Sequence, residues 1–412
     1  MITGAGRATP LAIQANIRKL YVFSFLKMAL LPMAIITLFW KDQIGLSLTD
    51  IMLLQGGFSL ATLLWEYPSG LLSDRFGYRR ALQLASLLGI LGWGWYCLAG
   101  SFWQLLAAEI LLGISFAFTS GSDSALLFES LKSAGLEKDY AAFDGRMSGW
   151  AQAGEASGAL FAGLLYSYAP LTPFILQVLV WFLALLLCRS LVETPADTPL
   201  QPQSLLRDAR LGWSIGLISS PQLRATIILA SLLGLASFYP VWMIQSQMQA
   251  QGVPLAWFGP IWAGANVTVA LFSVISHRLR FFFGLSKLVW SWVALILVGY
   301  AGLWLYQGLW CFLFYYLLTA MRGLQGPLLR HEIQQRVDRR CRAGILSLKS
   351  LLFRLGFVAT GPLVGLLADR RGLSFAFGVS GMILLLLIIP ASGYFLARHG
   401  TTPPSSGTRD IC

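Results

Sequence analysis

Long apolar runs separated by short polar stretches organise this 412-residue chain. The runs fall at residues 16–40, 48–64, 81–100, 102–128, 146–168, 173–191, 223–245, 255–276, 286–305, 309–329, 345–368 and 375–396. Most approach or exceed the roughly 20 residues that cross a bilayer as a helix. They are continuous, whereas a barrel strand alternates apolar and polar positions over about ten residues. Backbone facing lipid must satisfy its own hydrogen bonds, so continuous runs are helices. The pattern predicts an all-α polytopic membrane protein with twelve transmembrane helices.

The longest interruption, 192–222, carries Pro195, Pro199, Pro202, Arg207 and Arg210. Its change in composition marks a boundary. It divides a six-helix bundle at 1–191 from a second at 223–399, with 192–222 as linker and 400–412 as a flexible tail rich in Pro, Ser, Thr and Gly. Gly154-Glu-Ala-Ser-Gly158 in the fifth run parallels Gly361-Pro-Leu-Val-Gly365 in the eleventh, a weak internal repeat that fits two pseudo-symmetric halves. Glycines spaced in this way let helices approach closely in lipid.

Composition sharpens the class. Hydrophobic residues make up 56% and charged residues 12%, against about 45–50% and about 25% in soluble domains. The formal charge of +12 raises the question of nucleic acid. The basic residues, however, concentrate in alternate connections, which is the positive-inside pattern and reports orientation. That pattern predicts cytoplasmic termini, no nucleic-acid partner and membrane lipid as surroundings. The five cysteines, Cys97, Cys188, Cys311, Cys341 and Cys412, show no paired spacing, so no disulfide framework is expected. Residues 1–14 lack the apolar core and cleavage site of a signal peptide.

The sharpest polar interruption is Glu66-Tyr-Pro-Ser-Gly-Leu-Leu-Ser-Asp-Arg-Phe-Gly-Tyr-Arg-Arg80. Gly70 permits close helix approach and Gly77 a sharp turn. Asp74 suits the amides of a helix N-terminus, and Arg75, Arg79 and Arg80 suit carboxylates or lipid phosphates. These residues resemble the loop between the second and third helices of the major facilitator superfamily, G-x-L-A-D-R-x-G-R-K-x-x-L. Gly70, Leu72, Asp74, Arg75, Gly77, Arg79 and Leu82 fall on matching positions, while Ser73 and Tyr78 depart from it. Gly365-Leu-Leu-Ala-Asp369-Arg-Arg-Gly372 spells something close to the same motif. Counting spans from a cytoplasmic N-terminus places that copy on the outer face. The expected mirror of the loop, around His277, Arg278 and Arg280, has no Asp.

The resemblance implies two six-helix bundles around a central cavity, at the plasma membrane, here a bacterial inner membrane. It also implies that the first, fourth, seventh and tenth helices line the cavity. Ionisable residues inside spans are costly and by default functional. Lys27, Glu66, Glu155, Arg322 and Arg354 are therefore the candidates for charge coupling. Lys27 lies about 16 Å along its helix from Asn16, close to the midplane. Glu109 is expected to snorkel outward, and Asp123 to belong to gate or loop structure. The aromatic and polar residues Phe116, Phe118, Phe238, Tyr239, Trp242, Gln245, Tyr315 and Tyr316 are candidates to line the cavity, with Gln247 and Asn266 as further hydrogen-bonding groups.

No phosphate-binding G-x-x-x-x-G-K-[ST] and no G-x-S-x-G elbow occurs, and His277, His331 and His399 are widely spaced for a metal site. The chain reads as a non-enzymatic secondary transporter without cofactor or metal, its partners a small molecule and protons or another coupling ion, the monomer sufficing. The resemblance points to a drug-efflux-like branch exporting an amphipathic compound in exchange for protons. Drug/proton antiporters often carry an Arg in the fourth helix and G-P-x-x-G in the fifth. Here Glu109 and Glu155 stand at those places. Two rival readings are transport of an anionic metabolite or siderophore, with Lys27, Arg322 and Arg354 neutralising it, and a sensor or assembly partner without flux.

Overall fold

The computed structural model describes residues 10–193, 220–337 and 342–399. Most of the linker, part of the basic inner loop with Cys341, and the tail with Cys412 lie outside these. Every regular element among the described residues is helical. In chain order they are α1 (Pro10–Met28), α2 (Leu48–Phe76), α3 (Tyr78–Tyr96), α4 (Phe102–Thr119), α5 (Ser122–Ser133), α6 (Tyr140–Leu160), α7 (Ala162–Tyr168), α8 (Thr172–Arg189), α9 (Pro221–Ala250), α10 (Phe258–Leu305), α11 (Phe312–Gln335), α12 (Arg342–Arg371) and α13 (Leu373–His399). Between α1 and α2 the chain passes through a 3-10 turn, Leu31–Ala34, one α turn, Ile36–Leu38, and a π turn, Phe39–Gln43. Among the described residues, seven helical stretches are long and apolar enough to cross a membrane, or eight if the bent pair Ala15–Ala34 and Ile36–Gln43 counts as one span.

Several expected boundaries differ. The first run, 16–40, is not one helix but α1 followed by irregular turns, because Pro32 denies the ladder an amide. The fourth run breaks at Gly121, whose φ of 93° is left-handed. The eighth and ninth runs, together labelled α10, remain two helices that meet at a break. The 48 residues of α10 would measure about 70 Å unbroken, but Gly284 interrupts them at φ 76°, ψ 163°. The loop expected around His277 and Arg280 is helical up to that glycine.

Two compact units emerge, one comprising Met1–Ile35 with Gly57–Leu200 and the other Ile36–Gly56 with Gln201–Cys412. In the first, Tyr96 of α3 stacks on Phe174 of α8 with ring centroids 5.4 Å apart. Glu109, 3% exposed, accepts the Tyr96 hydroxyl. The expected snorkelling is thus corrected: a phenol within reach satisfies the carboxylate inside the helix packing. Asn16 of α1 donates to Ser130 of α5 at 3.1 Å and to the Val192 carbonyl at 2.9 Å.

The basic turn after α2 also differs in its chemistry. Gly77 supplies the sharp turn at φ 95°. Asp74, expected to cap a helix, accepts the Tyr78 hydroxyl at 3.0 Å instead. The cap of α3 comes from Glu193, which accepts the Arg79 amide at 3.0 Å. Burial raises the Glu193 carboxyl above its ordinary range, against the opposing pull of the α3 amides and arginines. The Arg79 guanidinium donates to the Arg189 carbonyl at 2.8 Å. Gly70, Arg75 and Arg80 are exposed.

The second unit centres on α9, which packs against α11, α12 and α13. Tyr300 of α10 donates to the Ala236 carbonyl at 2.8 Å, and Leu223, Ile227, Ile333, Val337, Ile345 and Leu348 form a buried cluster. Segment 36–56 belongs to this unit by its contacts. Trp40 stacks on Trp242, centroids 5.9 Å apart, and Gln245 accepts the Thr37 amide at 3.0 Å. Asp369, in the second motif-like stretch, caps α2: it accepts the Leu48 and Thr49 amides, both at 2.9 Å, and the Thr49 hydroxyl at 2.6 Å. Beside the Gly284 break of α10 and at the C-terminal ends of α11 and α13, buried Glu332 meets Arg280 at 2.5 Å, Arg336 at 3.2 Å and His399 at 3.3 Å. The carboxylate absent from the expected mirror loop is therefore provided by α11. Burial pushes the Glu332 carboxyl up, but the His399 hydrogen bond and the Arg280, His399 and Arg336 charges outweigh it and hold it at about 2.

Candidate functional site

Two helix breaks in the first unit define the candidate site. α1 ends at Met28 with Lys27 in its last turn, and α5 begins at Ser122 with Asp123 in its first turn. A cation suits the carbonyl-rich C-terminus of a helix and an anion the amide-rich N-terminus. The termini bring the two side chains together: the Lys27 ammonium forms an ion pair with Asp123 Oδ2. Asp123 Oδ1 accepts the Ser124 amide at 2.7 Å, which orients the carboxylate. The Asp123 side chain is 5% exposed and that of Lys27 20%. A pair of this kind inside a bundle is retained at the expense of desolvation, and discontinuous helices are where transporters place substrate and ion sites.

The surroundings hold the breaks in place. Gln177 of α8, fully buried, accepts the Leu31 amide at 2.8 Å, capping the irregular stretch after α1. Gly154 and Gly158 of α6 face the end of α1. A Cβ at Gly158 would stand 2.7–2.8 Å from backbone atoms of Ala29 and Leu30, so this close approach depends on the missing side chain. The glycine spacing read from the sequence acts here, against the backbone beside Lys27. Gly365 of α12 behaves alike in the other unit, where a Cβ would come within 2.7 Å of the Leu48 carbonyl.

The remaining sequence candidates disperse. Glu66 of α2 and Glu155 of α6 are half-buried in the first unit, as are Arg322 of α11 and Arg354 of α12 in the second. Lys27, one of the charge-coupling candidates, pairs with Asp123, a residue assigned from sequence to gate or loop structure. The legible signal was the acidic residue just after Gly121.

The aromatic candidates also divide. Phe116 is 43% exposed. Phe118 is packed into a core cluster with Ala81 and Ala85, which leaves it no surface for a ligand. Phe238 meets Phe353 and Phe357 at centroid distances of 5.2 and 4.8 Å. Tyr239 is hydrogen-bonded to Thr360 at 2.5 Å, Tyr316 donates to the Ile261 carbonyl at 2.8 Å, and Tyr315 is buried. Trp242 and Gln245 are engaged with Trp40 and Thr37 as described. The buried Trp242 and Trp262 indole nitrogens and the Gln247 and Asn266 amide nitrogens have no hydrogen-bond partner among the described residues. Such groups are costly unless a ligand or water meets them.

Comparison with known proteins places this geometry. The family model described as Major Facilitator Superfamily matches residues 20–348. Among solved structures, the nucleoside transporter NupG superposes with a TM-score of 0.76 at 12% identity, covering 94% of this chain and 99% of that one. A bacterial homolog to the human lysosomal transporter Spinster gives 0.72 at 15% identity, over 98% and 100% of the two chains. The D-xylose-proton symporter gives 0.73 at 13% identity, over 94% and 97%. These likenesses are of fold.

Proposed function

The chain belongs to the major facilitator superfamily, and from that premise we propose that it is a proton-coupled secondary transporter in which the Lys27–Asp123 pair couples charge to movement. It is an integral membrane transporter. The finer reading has twelve spans in two pseudo-symmetric halves, 1–191 and 223–399, with cytoplasmic termini in a bacterial inner membrane. It exports a small amphipathic compound by alternating access, in the manner of the drug-efflux branch. The observation that carries this reading is the ion pair at two helix breaks. Protonation of Asp123 removes the attraction that holds α1 to α5, and a substrate cation competes for the same carboxylate. Glu66 and Glu155, in the same unit, adjust the field in which this centre opens, while Arg322 and Arg354 supply charge within the second unit. In the second unit, the unpartnered donors of Trp242, Gln247, Trp262 and Asn266 are groups that a polar ligand can meet.

A binding screen of neutral, cationic and anionic amphipathic compounds on the purified chain at two pH values tests the reading. Binding of cationic members is expected to weaken at the lower pH and to weaken again in Asp123→Asn. One observation favours the anionic alternative: of the two partners, the ammonium is the more exposed. A carboxylate ligand reaching Lys27 would displace Asp123. In that case Lys27→Ala abolishes binding of anions and spares the cations.

A further inference from the structure

Outside the ion pair, a groove of about 490 Å³ runs along α10 and α11. Its walls include Leu279 and Phe283 before the Gly284 break, Ala294, Leu295 and Val298 with Leu288 after it, and Leu317 and Leu324 of α11. Lys287, exposed, is the charged residue on the wall. The other polar one, Ser291, already donates its hydroxyl to the Leu288 carbonyl at 2.7 Å. From Lys287 to Val298 the groove follows α10 for about 16 Å, which is half of the roughly 30 Å hydrocarbon thickness. That stretch of wall is therefore the length of one leaflet, with the cation at its start and apolar side chains beyond it.

The charged end is also marked as an interface. Phe281 and Phe282 at the break are 85% and 76% exposed, and Arg278 one turn earlier is exposed as well. Basic side chains at the end of an apolar span reach the headgroup region, and bare phenyl rings beside them suit the acyl region just below it. Glu332, the carboxylate at this end of the unit, is occupied by Arg280, Arg336 and His399. Lys287 and Arg278 have no ion-pair partner among the described residues. A cation without a counter-charge, at the mouth of an apolar slot one leaflet long, matches an acyl chain carrying an anionic headgroup.

We propose that this groove binds one phospholipid with an anionic headgroup, its phosphate on Lys287 and one acyl chain along Leu288, Leu295 and Val298. The inference rests on the membrane-spanning nature of the chain and is independent of the transported compound. To test it, full-length protein in detergent is exposed to equal amounts of phosphatidylglycerol and phosphatidylcholine, and retained lipid is read by native mass spectrometry. Wild type is expected to retain one phosphatidylglycerol in preference to phosphatidylcholine. Lys287→Ala should lower that preference about fivefold. Ala294→Phe, which fills the groove without changing charge, should remove the retained molecule while a thermal melt confirms folding. Glycerol phosphate, which lacks the chain, should fail to compete. Equal retention of both lipids by wild type, undiminished retention in both variants, or effective competition by glycerol phosphate would each overturn the proposal.

Discussion

Replacing the partners of the Lys27–Asp123 pair singly and together gives a demanding test of the structural reading. Lys27→Met leaves the Asp123 carboxylate, 5% exposed, without its counter-charge. Removing one member of a buried pair costs about 3–5 kcal/mol, and this is the member whose loss strands the deeper charge. Asp123→Asn keeps an oxygen for the Ser124 amide and strands the Lys27 ammonium. That group is 20% exposed at the end of a flexible stem and can turn toward water, so about 1–3 kcal/mol is expected. The double variant buries no uncompensated charge. Groups in direct contact couple by about 0.5–3 kcal/mol, and a value at the upper end, about 3 kcal/mol, is expected here because the double variant leaves no charge stranded. Thermal unfolding of the purified protein at one pH should rank wild type first, then Asp123→Asn, with Lys27→Met last and the double variant above it. Strict additivity, or a double variant less stable than Lys27→Met, would mean that the two side chains do not share their charge in the native state.

Other consequences follow from individual contacts. Gly158→Val should destabilise the first unit by about 1–3 kcal/mol, since the new Cβ meets Ala29 and Leu30 backbone that cannot swing aside. Gly145→Ala, with nothing within 4 Å, serves as the control in the same melt. Asp369→Ala removes three hydrogen bonds from the start of α2 and should cost about 1–2 kcal/mol, seen as faster amide exchange at Leu48 and Thr49. Glu332 has a depressed folded-state pKa of about 2 against an ordinary 4.5. Its contribution is fully present above about 4.5 and is lost as pH falls toward 2, on the order of 3 kcal/mol. Wild type should therefore lose more stability than Glu332→Gln over that acid window in parallel melts.

Much of the architecture was legible because lipid simplifies the problem. Continuous apolar runs can only be helices there, and the Gly/Asp/Arg turn after α2 carries the family resemblance. What the sequence concealed was local. Where a helix breaks depends on Pro32, Gly121 and Gly284 acting against neighbouring packing, so 16–40 and 102–128 looked continuous. The partner of a charge depends on which broken ends meet: Lys27 was visible as a mid-span cation, while Asp123 looked like loop structure because the end of α1 is far away in sequence. Caps were misassigned for the same reason. Glu193 and Asp369 each close a helix more than a hundred residues away, whereas Asp74, next to α3, does not. Aromatic residues on helices expected to line a cavity gave no sign of which would be consumed by packing, as Phe118 is.

The central claim, that the Lys27–Asp123 pair couples protons to substrate, is tested most directly in proteoliposomes. A cationic compound that binds the protein is followed in two modes, uphill movement driven by a pH gradient and downhill exchange of labelled for unlabelled compound. Asp123→Asn is predicted to abolish the driven movement and retain exchange, with Glu66→Gln and Glu155→Gln still driven. Driven transport by Asp123→Asn at the wild-type rate would contradict the account.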